Sequence, residues 1–557
     1  IQSEQKITWI PRWGDNHSLL VSAVWQMNSG NSQYQEFEKY GLPSNSITDA
    51  TSVGFDKAFN SGAGQWRSLA IMGRAHYTFM NRYTIDATFR RDGSTKFGSN
   101  NRWGDFPAVS LKWNMADESF MKPLRAVIDE LGIRGGWGIT GNQPDREYLH
   151  FSRYNSSWGG GNNNYINIPT VKPSSIELSD LKWEKVTSYN LGIDLHLFNS
   201  KLVFDGNIYK RKTEDLLFKD LGIPSSSGFG SLSYVNIGVM DNTGWELSIY
   251  TNNLIKTRDW KVDFNVNFSN NKNKIVELSP AVLNAYNKDF NYDNGSYLTR
   301  LQEGNSFGSI YGFRYKGVYQ YDKYEEGRGG TAPVVKDANG NVVKDANGKP
   351  LPMYFDYFNL GNKRYQFRGG DAIYEDINHD GTIDELDIVY LGNSNPKLTG
   401  GFGTNITFKN FSISAFFNFR YGNKIVNYAR MDAENMHSNN NQSIAVNWRW
   451  RKDGDVTEMP RALYNYGYNY LGSDRFVEDG SFLRFKTLTF KYNFSPKSLR
   501  RVFLNQLSFY LTLNNLVTFT KYTGVDPEVG IESFGLCADR SKTPRSQYFT
   551  FGVTVGF

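Results

Sequence analysis

The feature that most constrains this chain is a two-residue alternation of apolar and polar side chains, repeated along its length. In KVDFNVNF, Val262, Phe264, Val266 and Phe268 lie opposite Lys261, Asp263, Asn265 and Asn267, because successive side chains of an extended strand point to opposite faces. Leu69, Ile71, Ala75, Tyr77 and Phe79 likewise oppose Ser68, Arg74, His76 and Thr78. The next segment sets Tyr83, Ile85, Ala87 and Phe89 against Thr84, Asp86, Thr88 and Arg90. FSISAFFNF gives Phe411, Ile413, Ala415, Phe417 and Phe419, and the last residues alternate Phe549, Phe551, Val553, Val555 and Phe557. Aromatic residues make up 15% of the 557 residues and glycines number 53, while hydrophobic residues reach only 39%. That mixture suits strands and polar loops better than a helical core.

Soluble sandwiches alternate too, so connection lengths carry the distinction. Short turns are expected near Met80–Arg82, Phe198–Ser200, Asn253–Arg258, Lys409–Asn410 and Pro496–Arg501. The connections near 214–240, 271–294, 320–397, 421–480 and 515–546 are long. Short periplasmic turns, long extracellular loops, strands of about ten residues and a polar inward face describe an outer-membrane barrel. About 16 strands are expected, enough for a porin-sized wall. If the terminal strand ends on the periplasmic side, the loop 320–397 is extracellular. The strand 483–494 fits poorly, since Arg484 and Lys486 share a face with Leu488, Phe490 and Tyr492.

Several classes are excluded or disfavoured. No run approaches the roughly 18 apolar residues of a membrane-spanning helix, which says nothing against strands. The single cysteine, Cys537, rules out an internal disulfide and a cysteine-rich zinc site. A net charge of +6 without a dense Lys/Arg block gives no nucleic-acid footprint. The six histidines are scattered, and no HExxH, GxSxG, phosphate-binding or dinucleotide fingerprint occurs, so no catalytic residue is assigned and no enzyme is expected. The opening IQSEQKITWIPRWGDN lacks the three regions of a signal peptide; the expectation is a cytosolic chain or one whose beginning is missing.

One motif carries metal chemistry. DINHDGTIDELD, residues 376–387, places oxygen ligands at the spacing of a calcium loop: Asp376, Asn378, Asp380, Asp384 and Asp387, with the Thr382 carbonyl, Gly381 at the sharp turn and Ile383 as apolar anchor. Asp rather than Glu at the twelfth position, and the lack of amphipathic flanks, point to a structural clamp rather than a sensor. The ion is calcium, with magnesium as the alternative. A solvated Asx turn with the same spacing is the competing explanation. KDANGNVV and KDANGKPL (336–343 and 344–351) are expected to form two type I′ hairpins. Trp158, Tyr165, Tyr234, Tyr464, Tyr466, Tyr468 and Tyr470 are taken as exposed aromatics suited to stacking on sugar rings or to loop packing, with no substrate role assigned.

The motifs in order resemble the TonB-dependent outer-membrane transporters of the SusC/RagA type. RDGSTKFGSNNRWGDFPAVSLKW (91–113), IRGGWGITGNQ (133–143), the hairpin 181–218, NIGVMDNTGWELSI (236–249), GDAIYEDINHDGTIDELDIVYLGNSNPKLTGGF (370–402), VEDGSFLRFKTLTFKYNF (477–494), LNNLVTFTKYTGVDPEV (513–529) and the closing Phe557 are each similar to family segments. The resemblance implies an all-β, 22-stranded transmembrane antiparallel barrel in the bacterial outer membrane. Residues 1–557 would be the C-terminal part of its wall, with the N-terminal plug and first strands lying outside this sequence. It also implies a SusD-like lipoprotein partner, TonB engaged through the absent N-terminal region, outer-membrane lipid around the wall, and a glycan or peptide substrate. Phe549, Phe551, Val553, Val555 and Phe557 resemble the signal read by the barrel-assembly machinery. The alternative is a passive porin or a calcium-stiffened adhesin.

Overall fold

The computed structural model describes residues 1–557 except 12, 42–43, 45, 47–53, 158–169, 288–296, 298–300, 357–363, 496–498, 500–502 and 533–534. Trp158, Tyr165 and most of the turn expected at Pro496–Arg501 therefore lie outside the described residues. The chain divides into two units, one comprising Ile1–Leu195, Asn207–Asp241 and Val276–Val282, the other His196–Gly206, Asn242–Ile275 and Leu283–Phe557.

The first unit is built on β1 (Gln2–Trp9), β2 (His17–Tyr40), β3 (Phe55–Phe79), β4 (Tyr83–Ser94), β5 (Trp103–Asn114) and β6 (Ile128–Asn142), with most of β7 (Glu184–Leu197) and β8 (Leu202–Glu214). Consecutive strands from β1 to β6 pair antiparallel, as a meander. The expected alternation is present: Trp25, Ile71, Phe89 and Leu111 are exposed on one face. The other face holds ion pairs along neighbouring strands. Arg74 and His76 both meet Asp86, at 2.5 and 3.0 Å, and Arg90 meets Asp92 at 2.7 Å. An apolar exposed face opposite a polar, mutually paired face is the arrangement of a wall between lipid and a wet lumen.

Strand length corrects the expectation of about ten residues. β2 has 24 residues and β3 has 25, paired from His17↔Phe79 to Tyr40↔Phe55 with one irregularity at Glu38/Lys39. β1 pairs β2 only as far as Asn28, and β4 pairs β3 only as far as Ser68. Ser29–Tyr40 and Phe55–Arg67 thus continue as a two-stranded ribbon beyond their neighbours. Cross-strand ring contacts, Phe37 on Phe59 at 4.8 Å and Tyr40 on Phe55 at 5.5 Å, hold its far end.

The second unit contains most of β9 (Val239–Thr251) and β10 (Trp260–Glu277), followed by β11 (Leu398–Phe408), β12 (Phe411–Tyr421), β13 (Phe482–Asn493), β14 (Gln506–Thr520) and β15 (Tyr548–Gly556). These too pair in chain order, each antiparallel to the next from β10 onward. Short turns lie at one end: the backbone N–H of Lys409 donates to the Asp259 carbonyl at 2.7 Å, and that of Asn493 to the Asn410 carbonyl at 2.9 Å. The turn expected at Asn253–Arg258 additionally contains a two-residue strand, Ile255–Lys256, paired to Lys261–Val262. The connections 278–397, 422–481 and 521–547 leave from the opposite end.

A β-bulge resolves the disorderly pattern of 483–494. Register shifts between Phe485 and Thr487 against β14, and between Phe416 and Phe417 against β12. The extra residue, Lys486, changes which face the following residues present. Arg484 therefore points away from the side occupied by Leu488, Phe490 and Tyr492. It is 2% exposed and paired at 2.6 Å with both Asp526 and Glu528, with Thr518 accepting from Nε at 2.9 Å.

Deleting Lys486 should remove the bulge and force either Arg484 or Phe490 onto the wrong face. The expected result is loss of the heat-modifiable, assembled form on unboiled gels, while Lys486→Ala assembles normally. Normal assembly of the deletion would contradict this account.

Candidate functional site

The long connections of the second unit do not trail into solvent; they form a core of their own. Tyr311, Phe313, Tyr319, Val335, Met353, Phe355, Phe367, Tyr374, Ile383 and Leu471 are packed together and buried. The order comes from short pieces of strand: Ser309–Gly312 with Val389–Asn393, Tyr315–Val318 with Ala372–Tyr374, and Tyr354–Phe355 between Tyr365–Gln366 and Thr382–Ile383. One buried ion pair ties 278–397 to 422–481. Asp371, 0% exposed, accepts from Arg461 Nε at 2.7 Å and Nη2 at 3.1 Å, and from the Tyr365 hydroxyl at 2.7 Å. A buried carboxylate with this many donors is compensated; deprived of Arg461 it would not be.

The two KDANG repeats form hairpins, but not with type I′ turns. Among the left-handed residues are Gly340 and Gly348, whereas Ala338, Asn339, Ala346 and Asn347 have ordinary φ. The Gly340 N–H donates to the Asp337 carbonyl and the Gly348 N–H to the Asp345 carbonyl, both at 2.9 Å. Each is a type I turn closed by a left-handed glycine, with the Asp side chain accepting backbone N–H bonds two and four residues on. The expected exposed aromatics also need correction. Tyr234 and Tyr470 are each 2% exposed and Tyr468 packs against the loop core, leaving Tyr464 and Tyr466 exposed.

The acidic loop is folded as its spacing demands. Gly381 has φ +84°, and a Cβ there would come 2.5 Å from a Val335 methyl, so the turn needs glycine for backbone and for space. Ile383 is fully buried in the loop core. The Tyr354 N–H donates to the Gly381 carbonyl and the Asp356 N–H to the Ile383 carbonyl, at 3.2 Å each, which leaves the Thr382 carbonyl outside that ladder. The side chains mostly bond within the loop. Asp376 Oδ2 accepts from Gly381 N–H, Asn378 Oδ1 from Asp380 N–H, Asp380 Oδ1 from Thr382 N–H and Asp384 Oδ1 from Leu386 N–H.

Asp387 does something the spacing did not reveal. It closes a capping box with Asp384 around the short turn Glu385–Asp387, and its two oxygens accept from Asp384 and Ile377 N–H at 2.9 and 2.7 Å. Burial raises its pKa to about 6; these two bonds oppose the rise and the nearby Asp376 and Asp384 carboxylates add to it. Burial also raises Asp384, with Asp380 and Asp376 contributing. Among the described residues, no three His, Cys, Asp or Glu side chains converge as a metal site. The fit to a cation rests on backbone shape, on clustered carboxylates, and on Asp376 Oδ1, which is buried without a hydrogen-bond partner.

A cavity of about 820 Å³ lies beside the loop core, lined by Tyr315, Lys316, Arg430, Glu434, Trp448, Glu458, Asp474 and Arg475. Arg475 crosses the rings of Tyr315 and Phe476, 5.1 and 5.0 Å from their centroids, and donates to Glu434 at 2.8 Å. Arg475 Nη1 and Arg430 Nε are buried without an acceptor among the described residues. Trp448 is largely exposed at the rim. No local pattern marks this group, since its members come from separate connections; only the segment beginning VEDGSFLRF, just after Arg475, points to the neighbourhood.

A strand wall with one apolar face, short turns at one end and a folded loop assembly at the other defines an outer-membrane receptor barrel. The chain belongs to the family described as TonB dependent receptor-like, beta-barrel, whose model matches residues 5–376. It is 30% identical over 98% of its length to TonB-dependent receptor P39 of Formosa agariphila, covering 50% of that protein. It is 28% identical over 88% of its length to TonB-dependent receptor SusC of Bacteroides thetaiotaomicron, covering 44%. The fold matches a solved structure of the RagAB peptide transporter with a TM-score of 0.76 at 23% identity, over 100% of this chain and 55% of that one. The chain thus spans about half the length of the curated relatives it matches. It is an all-β, SusC/RagA-like barrel of the bacterial outer membrane.

Without a cation, the raised pKa of Asp387 means that its contribution to stability is full below 3.8 and is lost as pH rises through about 6. Protease cleavage within 364–397 in chelator should accordingly be faster at pH 8 than at pH 5, and calcium should abolish the difference. Asp376→Ala with Asp380→Ala should remove protection by calcium while the barrel stays assembled. Equal cleavage with calcium and with chelator in the parent chain would exclude the clamp.

Proposed function

We propose that this chain is the C-terminal barrel portion of a 22-stranded, TonB-dependent transporter that imports oligomeric nutrients, glycan or peptide, together with a SusD-like lipoprotein. In this reading the plug and the TonB-contacting segment belong to the N-terminal half that the relatives possess. The terminal strand with Phe549, Phe551, Val553, Val555 and Phe557 engages the barrel-assembly machinery. The acidic loop 376–387 holds calcium through Asp376, Asn378, Asp380, Asp384 and the Thr382 carbonyl, with Asp387 closing the turn behind it. The role is that of a receptor and not of a catalyst.

The observation that carries this reading is the folded loop assembly with its polar cavity. A passive pore needs only a constriction, whereas half-buried arginines, lining carboxylates and a rim tryptophan suit a ligand rich in hydroxyl or amide groups. RagAB is described as a peptide transporter, which keeps peptide beside glycan. The porin or adhesin reading predicts no dependence on energy.

Uptake by cells carrying the intact receptor, measured for an oligosaccharide and for a peptide mixture, is the test. Collapse of the proton-motive force should reduce uptake of one of them to background, and native mass spectrometry should find a lipoprotein in the purified complex. Uptake that persists without the proton-motive force would establish a porin. Trp448→Ala with Glu458→Gln should weaken binding of the transported class by about 30-fold or more, from at least ~0.5 kcal/mol for one ring contact and ~1.5 kcal/mol for one charged hydrogen bond.

A further inference from the structure

The outward face of the second unit contains an indentation that a smooth lipid-facing wall would not need. The ladder registers align two rows of side chains across it. Trp260, Phe408, Phe411, Tyr492 and Phe509 are cross-strand partners in succession next to the short turns. One step further from the turns run Val262, Ile406, Ile413, Phe490, Leu511 and Phe551. The first row is tall and closely packed, with tilted rings, Trp260 against Phe408 at 4.5 Å and Phe411 against Tyr492 at 4.6 Å. Behind it Ile406 and Ile413 are shorter, and Phe490 and Phe551 rise beyond them. The result is a groove of about 520 Å³ whose lining is almost wholly apolar.

Cations stand at the mouth of this groove. Lys409 Nζ lies 5.2 Å from the centroid of Phe408, one of the lining rings. Arg258 occupies the adjoining turn and is exposed, whereas Lys256 pairs with Lys261 and shares its polar face. The acid beside Lys409 and Arg258 is Asp259, 4.0 Å from Lys409, and Lys261 is 3.9 Å from its own partner Asp263. Two cations against one acid leave an excess of one positive charge beside the aromatic row. Aromatic rings and cations at a barrel rim mark the depth of the lipid headgroups, and the short turns mark the periplasmic leaflet.

From this juxtaposition we propose that the groove holds one anionic phospholipid of the periplasmic leaflet, an acyl chain lying over Ile406 and Ile413 and the phosphate on Lys409 and Arg258. The occupant follows from position. At this depth the apolar partner is hydrocarbon, the available anion is a headgroup phosphate, and the backbone is already paired in the ladder, so no sheet edge is offered to a protein strand. The cationic excess selects a net negative headgroup over a zwitterionic one.

The test uses the intact receptor complex, purified in mild detergent, washed free of bulk lipid, and offered phosphatidylglycerol or phosphatidylethanolamine before native mass spectrometry. The parent protein should retain one phosphatidylglycerol per chain through washing and release phosphatidylethanolamine. Ile413→Trp, which fills the groove, should abolish retention. Lys409→Gln, in an exposed turn where folding is not at stake, should erase the preference between the two lipids. Heat-modifiable migration verifies assembly of each variant. Retention of neither lipid, equal retention of both by the parent, unchanged retention in assembled Ile413→Trp, or pairing of two receptor copies through this face would overturn the proposal.

Discussion

Every backbone N–H and C=O that meets hydrocarbon must find a partner inside the protein, and this requirement governs the rest of the structure. A chain that meets it with strands has to pair each one on both sides, so register becomes the variable that decides which side chains touch lipid. A single-residue slip reverses every face downstream. The bulge at Lys486 shows the chain using that sensitivity. By inserting one residue it sends Arg484 to the side where Asp526 and Glu528 compensate its charge, and returns Leu488, Phe490 and Tyr492 to the apolar side. A buried arginine with two carboxylates is expensive to desolvate and very expensive to leave unpaired, which ties the connection 521–547 firmly to the wall.

The loop assembly obeys different physics. Its strands are two to five residues long, too short for ladder bonds alone to order them. Order comes instead from a small aromatic core and from carboxylates that accept several donors each. Asp371 and Asp387 are both fully buried, but they are treated differently. Asp371 has an arginine, whereas Asp387 has only backbone N–H groups and sits among other acids. One is satisfied by the protein's own cation, and the other is relieved by protonation.

Much of the wall was legible from sequence because it depends on a pattern of period two and on where the pattern stops. KVDFNVNF and QYFTFGVTVGF needed nothing else. The acidic loop was legible in its backbone, since Gly381 and Ile383 occupy the positions that the spacing requires, but the capping role of Asp387 was not, because a carboxylate at that position reads as a ligand whichever way it turns. The KDANG turns were misjudged for a similar reason: Asn-Gly suits type I′, yet the Asp two residues earlier captures the backbone N–H groups of a type I turn instead. Burial of Tyr234 and Tyr470 and the grouping around Arg475 depend on contacts between distant connections, which no local pattern encodes.

The ribbon formed by β2 and β3 outruns its neighbours by 12 residues on the β2 side, Ser29–Tyr40, or roughly 40 Å at about 3.3 Å per residue. That exceeds the ~30 Å thickness of the hydrocarbon layer itself. Its ladder runs almost without interruption down into the wall, so the ribbon is a lever whose fulcrum lies where β1 and β4 stop pairing with it. A force at Phe37 or Tyr40 would arrive at β1 and β4 multiplied by the ratio of the two arms. The wall of the first unit thus has a mechanical input at the end of β2 and β3 farthest from the short turn at Met80–Arg82.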